Sequence, residues 1–360
     1  MSVDRSADGP SVGIVSVGTY SPEGYLTAQE IAQASGLPEW VVREKLGITG
    51  KYVGNPDEHP NEMGIKAAQD CLAQTSISPE EIDVVLCTTE EWKEYTLWTA
   101  GIHMAYEIGA VNAWAMDLHA RCATTVAALQ TAKGLMAADP EINTVLIAGG
   151  YRVADLIDFR KHRTSFLFNI GAGGGAMLLR RNWPRNRILG AHLIADGSMS
   201  KHVIVPASGT VQFPTDQAVA QGLFTFDLVE PEAMKARLNA VSMANWLTCV
   251  DRALEKSGRK PDGSPYTRED IDFLNMVLIK PSGHREMLAR LGLTEEQSVY
   301  LGHIGHTGEQ DAMFGIREGL RQGRLRDGDL MVIVAAGIGY VWAAGVVQWG
   351  PVPSTEKRRQ

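Results

Sequence analysis

One phrase occurs twice along this chain. Ser78–Thr89 reads SPEEIDVVLCTT, an acidic capped turn leading into an apolar strand. Thr267–Gly283 reads TREDIDFLNMVLIKPSG, with the same order of features. The ends of the two stretches echo each other as well. Ile142–Gly150 (INTVLIAGG) with Phe166–Leu179 (FLFNIGAGGGAMLL) parallels Leu330–Trp349 (LMVIVAAGIGYVWAAGVVQW). One long-period repeat in which strands and helices alternate predicts two α/β halves packed together. The halves are expected over 1–185 and 186–360, with the junction near Asn182–Arg187, around Trp183-Pro184.

The 360 residues, 44% hydrophobic and 21% charged, are those of a globular protein with room for a full core. A formal net charge of -8 argues against a broad nucleic-acid surface, which needs clustered Lys and Arg. Two basic spots stand out, Arg160–Arg163 and Lys357–Arg359, and the second reads as a solvated tail. Cys71, Cys87, Cys122 and Cys249 are scattered without a Cys-x-x-Cys pair. Neither a metal site nor a disulfide framework is expected, and a reducing cytoplasm suits them. The polar N-terminus has no apolar run of the secretory kind. Leu330–Trp349 is uncharged and long enough to cross a bilayer, but its Val and Ile content and its Gly337-Ile338-Gly339 centre predict two buried strands meeting at a turn.

Local patterns predict a first strand over Val12–Tyr20 and helices over Thr27–Ser35, Pro38–Leu46, Asn61–Thr75 and Met234–Ser257. Ala113–Met136 reads as a short strand, a tight turn and an amphipathic helix, with Cys122 at the turn where the helix begins. Free N–H groups and the helix dipole favour a thiolate there, and the same groups can hold an oxyanion. By position alone the thiol is equally a small buried hydrophobe.

The segments around it resemble the thiolase superfamily, and most of all β-ketoacyl-acyl carrier protein synthase III and its relatives in specialised metabolism. The opening GIVSVGTYSPEGYLTAQEI, PEWVVREKLGI, DVVLCTTEEW, the DLHARCATT turn, FLFNIGAGGGAML and the closing AAGIGYVWAAGVVQW follow the family's order and spacing over nearly the whole chain. The resemblance implies a layered α-β-α-β-α fold of two βαβαβ-type halves, a homodimer, and ping-pong acyl transfer. An acyl thioester on coenzyme A or an acyl carrier protein would load Cys122. The acyl group would then pass to an acceptor, first of all a malonyl-type thioester in decarboxylative Claisen condensation. No metal or organic cofactor is implied, and neither nucleic acid nor membrane is expected as a partner. Trp40 matches the tryptophan at the donor's entrance. The backbone N–H groups of Cys122 and of Ile338 and Gly339 match the oxyanion hole.

Two segments depart from the family. Its His-Gln-Ala-Asn segment has no clean match: a gapless count puts the histidine on Val277, and the nearest histidine is His284. Its Gly-Asn-Thr reads Gly305-His306-Thr307, with His303 just before it. Asn169 and Ile170 replace the usual Gly and Asp, and Glu44 stands where an arginine is usual after Trp40. Three readings stay open. His306 serves the acceptor with His284 or His303 as partner; or Cys122 and His306 pass the acyl group to a hydroxyl or amine; or these histidines are structural. A non-catalytic thiolase-fold partner subunit is the rival of another class, opposed by the presence of Cys122. The glycine run Gly171–Ala176 mimics a dinucleotide fingerprint, but the apolar MLLRRNWP after it predicts a strand where that motif needs a helix.

Overall fold

The computed structural model describes residues 10–352. The basic tail and the first residues of the N-terminus lie outside the described residues. The chain opens with β1 (Val12–Tyr20), β2 (Gly24–Thr27) and α1 (Ala28–Ser35). Thr27 closes a capping box with Glu30, its hydroxyl accepting from the Glu30 N–H, which fixes where α1 starts. The segment after Trp40 is π-helical over Val41–Leu46, with the Gly47 N–H reaching back to the Val42 carbonyl. A π turn takes one residue more than an α turn.

β3 (Gly50–Val53), α2 (Pro60–Leu72), β4 (Val84–Cys87), α3 (Ala100–Glu107), β5 (Trp114–Asp117), α4 (Thr124–Ala138), β6 (Thr144–Tyr151) and β7 (Gly173–Arg181) follow. Then come β8 (Arg185–Ala195), β9 (Val203–Ile204), α5 (Asp216–Ala220), β10 (Asp227–Leu228), α6 (Pro231–Glu255), β11 (Phe273–Met276), α7 (Pro281–Leu291), α8 (Asp311–Arg321), β12 (Leu330–Gly337) and β13 (Val341–Pro351). The repeated phrase has one physical meaning in both places. Ser78 with Glu81, and Thr267 with Asp270, close capping boxes on a single helical turn that delivers the chain into a buried parallel strand.

The principal sheet runs β11-β12-β13-β8-β1-β7-β6-β4-β5. A single residue pair, Gly13 opposite Arg187, joins β1 to β8, so two sub-sheets abut there. α2 packs on β1, β6 and β7, and α6 packs on β8, β12 and β13. α4 lies between, touching β6 on one side and β8 and β13 on the other; α8 similarly touches β1, β7 and β11. This is the layered α/β thiolase architecture. Close helix–sheet contact depends on glycine: a Cβ at Gly150 would stand 1.7 Å from the Pro60 carbonyl oxygen, and one at Gly174 would stand 2.1 Å from that of Met63. The glycine run therefore enters strand β7, and no helix opens there. Leu330–Trp349 forms the antiparallel pair β12 and β13. Among the described residues no helix is long and apolar enough to cross a membrane.

Candidate active site

Cys122 sits in the turn between β5 and α4. The turn is pinned at both ends. The Asp117 carboxylate accepts from the N–H groups of Ala100 and Gly101 and pairs with Lys93, while Thr124 Oγ1 accepts from the Ala120 N–H at 2.8 Å. Arg121 occupies the left-handed region at φ 52°, which turns the chain sharply just before the cysteine. Its guanidinium is held by Glu90 at 2.8 Å and Glu91 at 2.7 Å. A Cβ on Gly337 would lie 3.0 Å from the Cys122 nitrogen and 2.6 Å from the Arg121 Cβ, so only glycine lets the end of β12 approach. The N–H groups of Cys122, Ile338 and Gly339 donate to no backbone acceptor among the described residues.

His306 reaches this turn from a loop 184 residues away in sequence. The Asn169–Gly171 segment clamps its backbone: the His306 N–H donates to Asn169 O and the Gly171 N–H donates to His306 O, both at 2.8 Å. The buried Lys51 ammonium donates to Ile170 O at 2.6 Å, and burial pushes its pKa down to about 7. The His306 ring stands with Nε2 3.2 Å from the Cys122 sulfur and Nδ1 2.6 Å from Asp311 Oδ2. Asp311 is itself fixed. Its Oδ1 accepts from the Thr307 N–H and hydroxyl at 2.7 and 2.8 Å, and its Oδ2 accepts from the Leu278 N–H at 2.8 Å. Burial alone would strip the ring of its proton, but Asp311 and the Cys122 sulfur outweigh it, and the pKa stands well above the ordinary histidine value. Because Nδ1 must donate to the carboxylate, Nε2 is the atom left to exchange a proton with the sulfur or with an acceptor.

The other two candidate histidines are not brought to the thiol. His284, on α7, bonds Ser298 Oγ through Nε2 at 3.0 Å and meets Tyr300 edge-on. Burial pushes its pKa down to about 4. Pro281 opens α7, and from that helix the His284 ring bonds Ser298. His303 is half exposed, 3.8 Å from Glu318. Val277 is apolar and buried, so the gapless position carries no donor. Trp40 is exposed, with the Lys45 ammonium 5.9 Å from its ring centre. Asp311, Glu309 and Tyr151 were not singled out in the sequence. The signal for Asp311 was a carboxylate five residues after His306, at the first residue of α8.

A small apolar cluster built on Tyr151, Leu156, Leu167 and Met234, with Ile338 and Tyr340 packed against it, lies beside the site. The nearness is electrical as well: burial and the Cys122 sulfur push the Tyr340 phenol up to about 12.

The family model described as 3-oxoacyl-[acyl-carrier-protein (ACP)] synthase III matches residues 116–197, and its C-terminal model matches residues 262–349. A β-ketoacyl-[acyl-carrier-protein] synthase III of Symbiobacterium thermophilum is 29% identical over 350 residues, covering 94% of this chain and 98% of its own. The crystal structure of the Thermus thermophilus β-ketoacyl-[acyl carrier protein] synthase III superposes with a TM-score of 0.78 at 25% identity, covering 94% of this chain and 100% of its own. OleA of Xanthomonas campestris shares the fold, with a TM-score of 0.76 at 16% identity over 94% of this chain and 98% of its own. The chain therefore carries matches to both the N- and C-terminal 3-oxoacyl-[acyl-carrier-protein] synthase III models, and it is similar to β-ketoacyl-[acyl-carrier-protein] synthases III over 94% of its length.

Proposed function

We propose that this protein is an acyltransferase in which Cys122 takes an acyl group from a coenzyme A or carrier-protein thioester and His306, oriented by Asp311, hands it on. The observation that carries the reading is the chain of contacts from sulfur to imidazole to carboxylate, at 3.2 and 2.6 Å. The sulfur attacks the thioester carbonyl, the N–H groups of Cys122, Ile338 and Gly339 receive the oxyanion, and the departing thiolate takes the proton from His306 Nε2. The ring is then neutral, with Nε2 facing the acyl-enzyme as a base. That state suits an acceptor carrying a proton on its attacking atom, namely a hydroxyl or an amine. Neutral Nε2 accepts, and offers no hydrogen bond to an enolate.

Decarboxylative condensation with a malonyl-type thioester is the second reading. It is favoured by the names of the relatives, β-ketoacyl-[acyl-carrier-protein] synthases III. Coenzyme A or the carrier protein is substrate in either case, and a biosynthetic role in the cytoplasm fits both. Trp40, an exposed indole, is proposed to stack on the donor. A homodimer is proposed across the free edge of β5, where Trp114, Ile102 and Tyr106 are exposed apolar side chains.

Intact-protein mass spectrometry after mixing with a panel of acyl-CoAs and acyl carrier proteins tests the first step. A mass gain is expected in the wild type and none in Cys122→Ala. Offering the loaded protein malonyl thioesters, alcohols and amines then separates the two acceptor readings. Turnover with the malonyl thioester alone would overturn the heteroatom reading.

A further inference from the structure

Beside Cys122 three polar side chains keep hydrogen-bonding capacity that nothing uses. Glu309, in the helical turn Gly308–Gln310, is 2% exposed; its Oε1 accepts from Gln310 Nε2 at 2.9 Å and its Oε2 has no partner. That turn is tied to the nucleophile helix, since Thr125 Oγ1 donates to Glu309 O at 2.7 Å. It is tied also to the end of β4, where Gln310 Nε2 reaches Thr88 Oγ1 at 3.2 Å. Two residues beyond Thr88, the buried Glu90 accepts from Arg121 Nη1 and from the Glu91 N–H on Oε1, leaving Oε2 without a partner among the described residues. Tyr151 ends β6 with its ring edge 2.4 Å from where a Gly308 Cβ would stand, and its hydroxyl makes no hydrogen bond among the described residues.

The charges around these atoms do not balance. Arg121 is shared by Glu90 and Glu91, Lys93 is taken by Asp117, and His306 serves Asp311 and the Cys122 sulfur. His119 Nδ1 is 3.9 Å from Glu90. Burial, with the negative neighbours Glu90 and Cys122, pushes the Glu309 pKa well above the carboxylate range. A carboxyl kept neutral by burial and by neighbouring anions is favoured to ionise when a cation comes into direct contact with it. An ammonium group has three N–H donors, and Glu309 Oε2, Glu90 Oε2 and Tyr151 Oη are three open acceptors.

We propose that Glu309 and Glu90, with Tyr151, form the acceptor subsite, and that the acceptor is a primary amine docking as its ammonium ion. This rests on the reading that Cys122 carries the acyl group. Docking ionises Glu309 and sends one proton to solvent. The ammonium gives a proton to neutral His306 Nε2 and attacks the thioester carbonyl, so that a C–N bond forms and the C–S bond breaks. The second nitrogen proton returns to Glu309. The sulfur leaves as a thiolate beside the charged His306 ring, and the product is an amide.

Two measurements test this on the intact protein. The first needs no acyl donor: n-butylamine is titrated calorimetrically into wild type and Glu309→Gln, in buffers of different ionisation enthalpy. Wild type is expected to release about one proton per amine bound and the variant none. The absence of amine binding to wild type, or of proton release, overturns the proposal, as does equal release in both proteins. The second measures transfer from the loaded protein to n-butylamine and to n-butanol. Glu309→Gln is expected to lower amine transfer about tenfold relative to alcohol transfer, and Tyr151→Phe to lower it by a few fold. Equal losses with both acceptors mark a merely structural role and overturn the assignment. Failure of any donor to load Cys122 would sink the acyl-enzyme reading, which the amine titration does not share.

Discussion

His284 and His306 are buried to nearly the same degree, 5% and 8% exposed, yet their rings are pushed in opposite directions. His284 faces a serine hydroxyl and an aromatic edge, with no carboxylate to hold a proton, and burial takes its pKa to about 4. His306 faces a carboxylate on one side and a sulfur on the other, and burial loses. Burial alone therefore does not say what a histidine does. The same low-polarity surroundings that neutralise an isolated ring strengthen the attraction of one with an anionic partner.

The comparison can be broken at several points. The largest effect is expected from Cys122→Ala, which removes the group His306 serves; turnover should fall by about four orders of magnitude or more, with no acyl adduct by mass spectrometry. Residual turnover near wild type would place the chemistry elsewhere.

Asp311→Asn turns the His306 surroundings into something closer to those of His284. The rate of acyl transfer is expected to drop by about 10³-fold, and the ring pKa, followed by NMR, to fall toward or below the ordinary value. The stabilisation from the His306–Asp311 pair is complete below the unfolded-state pKa near 6.5 and is lost as pH rises through the raised folded-state pKa. The stability difference between wild type and variant, read from urea unfolding, should therefore shrink as the solution becomes alkaline. A ring pKa unmoved by the substitution would mean that Asp311 does not hold the proton.

His284→Gln sharpens the other side. His284 is neutral in the fold and protonates first in the unfolded chain, so its contribution weakens stability as pH falls from about 6.5 toward 4. The wild type should lose about 3 kcal/mol over that window from this residue, and the variant should not. Its acyl loading should stay within about twofold of wild type; a hundredfold loss would return His284 to the chemistry. The smallest effect is expected from Trp40→Ala, which should raise KM for acyl-CoA by about three- to tenfold and leave kcat alone, as steady-state kinetics would show.

Much of this was legible in the chain. The two capping boxes, Ser78 with Glu81 and Thr267 with Asp270, are local features, and each sets the entry to a buried strand wherever its phrase occurs. β1 covers Val12–Tyr20 as its pattern predicts, and Cys122 falls in a turn between a short strand and a helix as expected, although that helix is packed between two sub-sheets instead of presenting one polar face. The glycines whose Cβ positions are already filled, at 150, 174 and 337, stand in the sequence because backbones cross there. Trp40 shows the limit of counting: the segment after it, Val41–Leu46, is π-helical, which residue spacing alone does not reveal.

What the sequence by itself determined is the set of local pieces: capped turns, a cysteine at the head of a helix, a histidine in a glycine loop. Their hydrogen bonds close within a few residues, and periodicity reports them. The tertiary structure alone decided which histidine meets the sulfur. Cys122 and His306 are 184 positions apart and touch because α4 lies between the two sub-sheets, while the Asn169–Gly171 strap holds the loop against it. Asp311 gains its meaning from that same packing. One helical turn beyond a histidine a carboxylate is usually a solvated charge, and here the Leu278 N–H and the sulfur on the far side of the ring turn it into the group that fixes the proton.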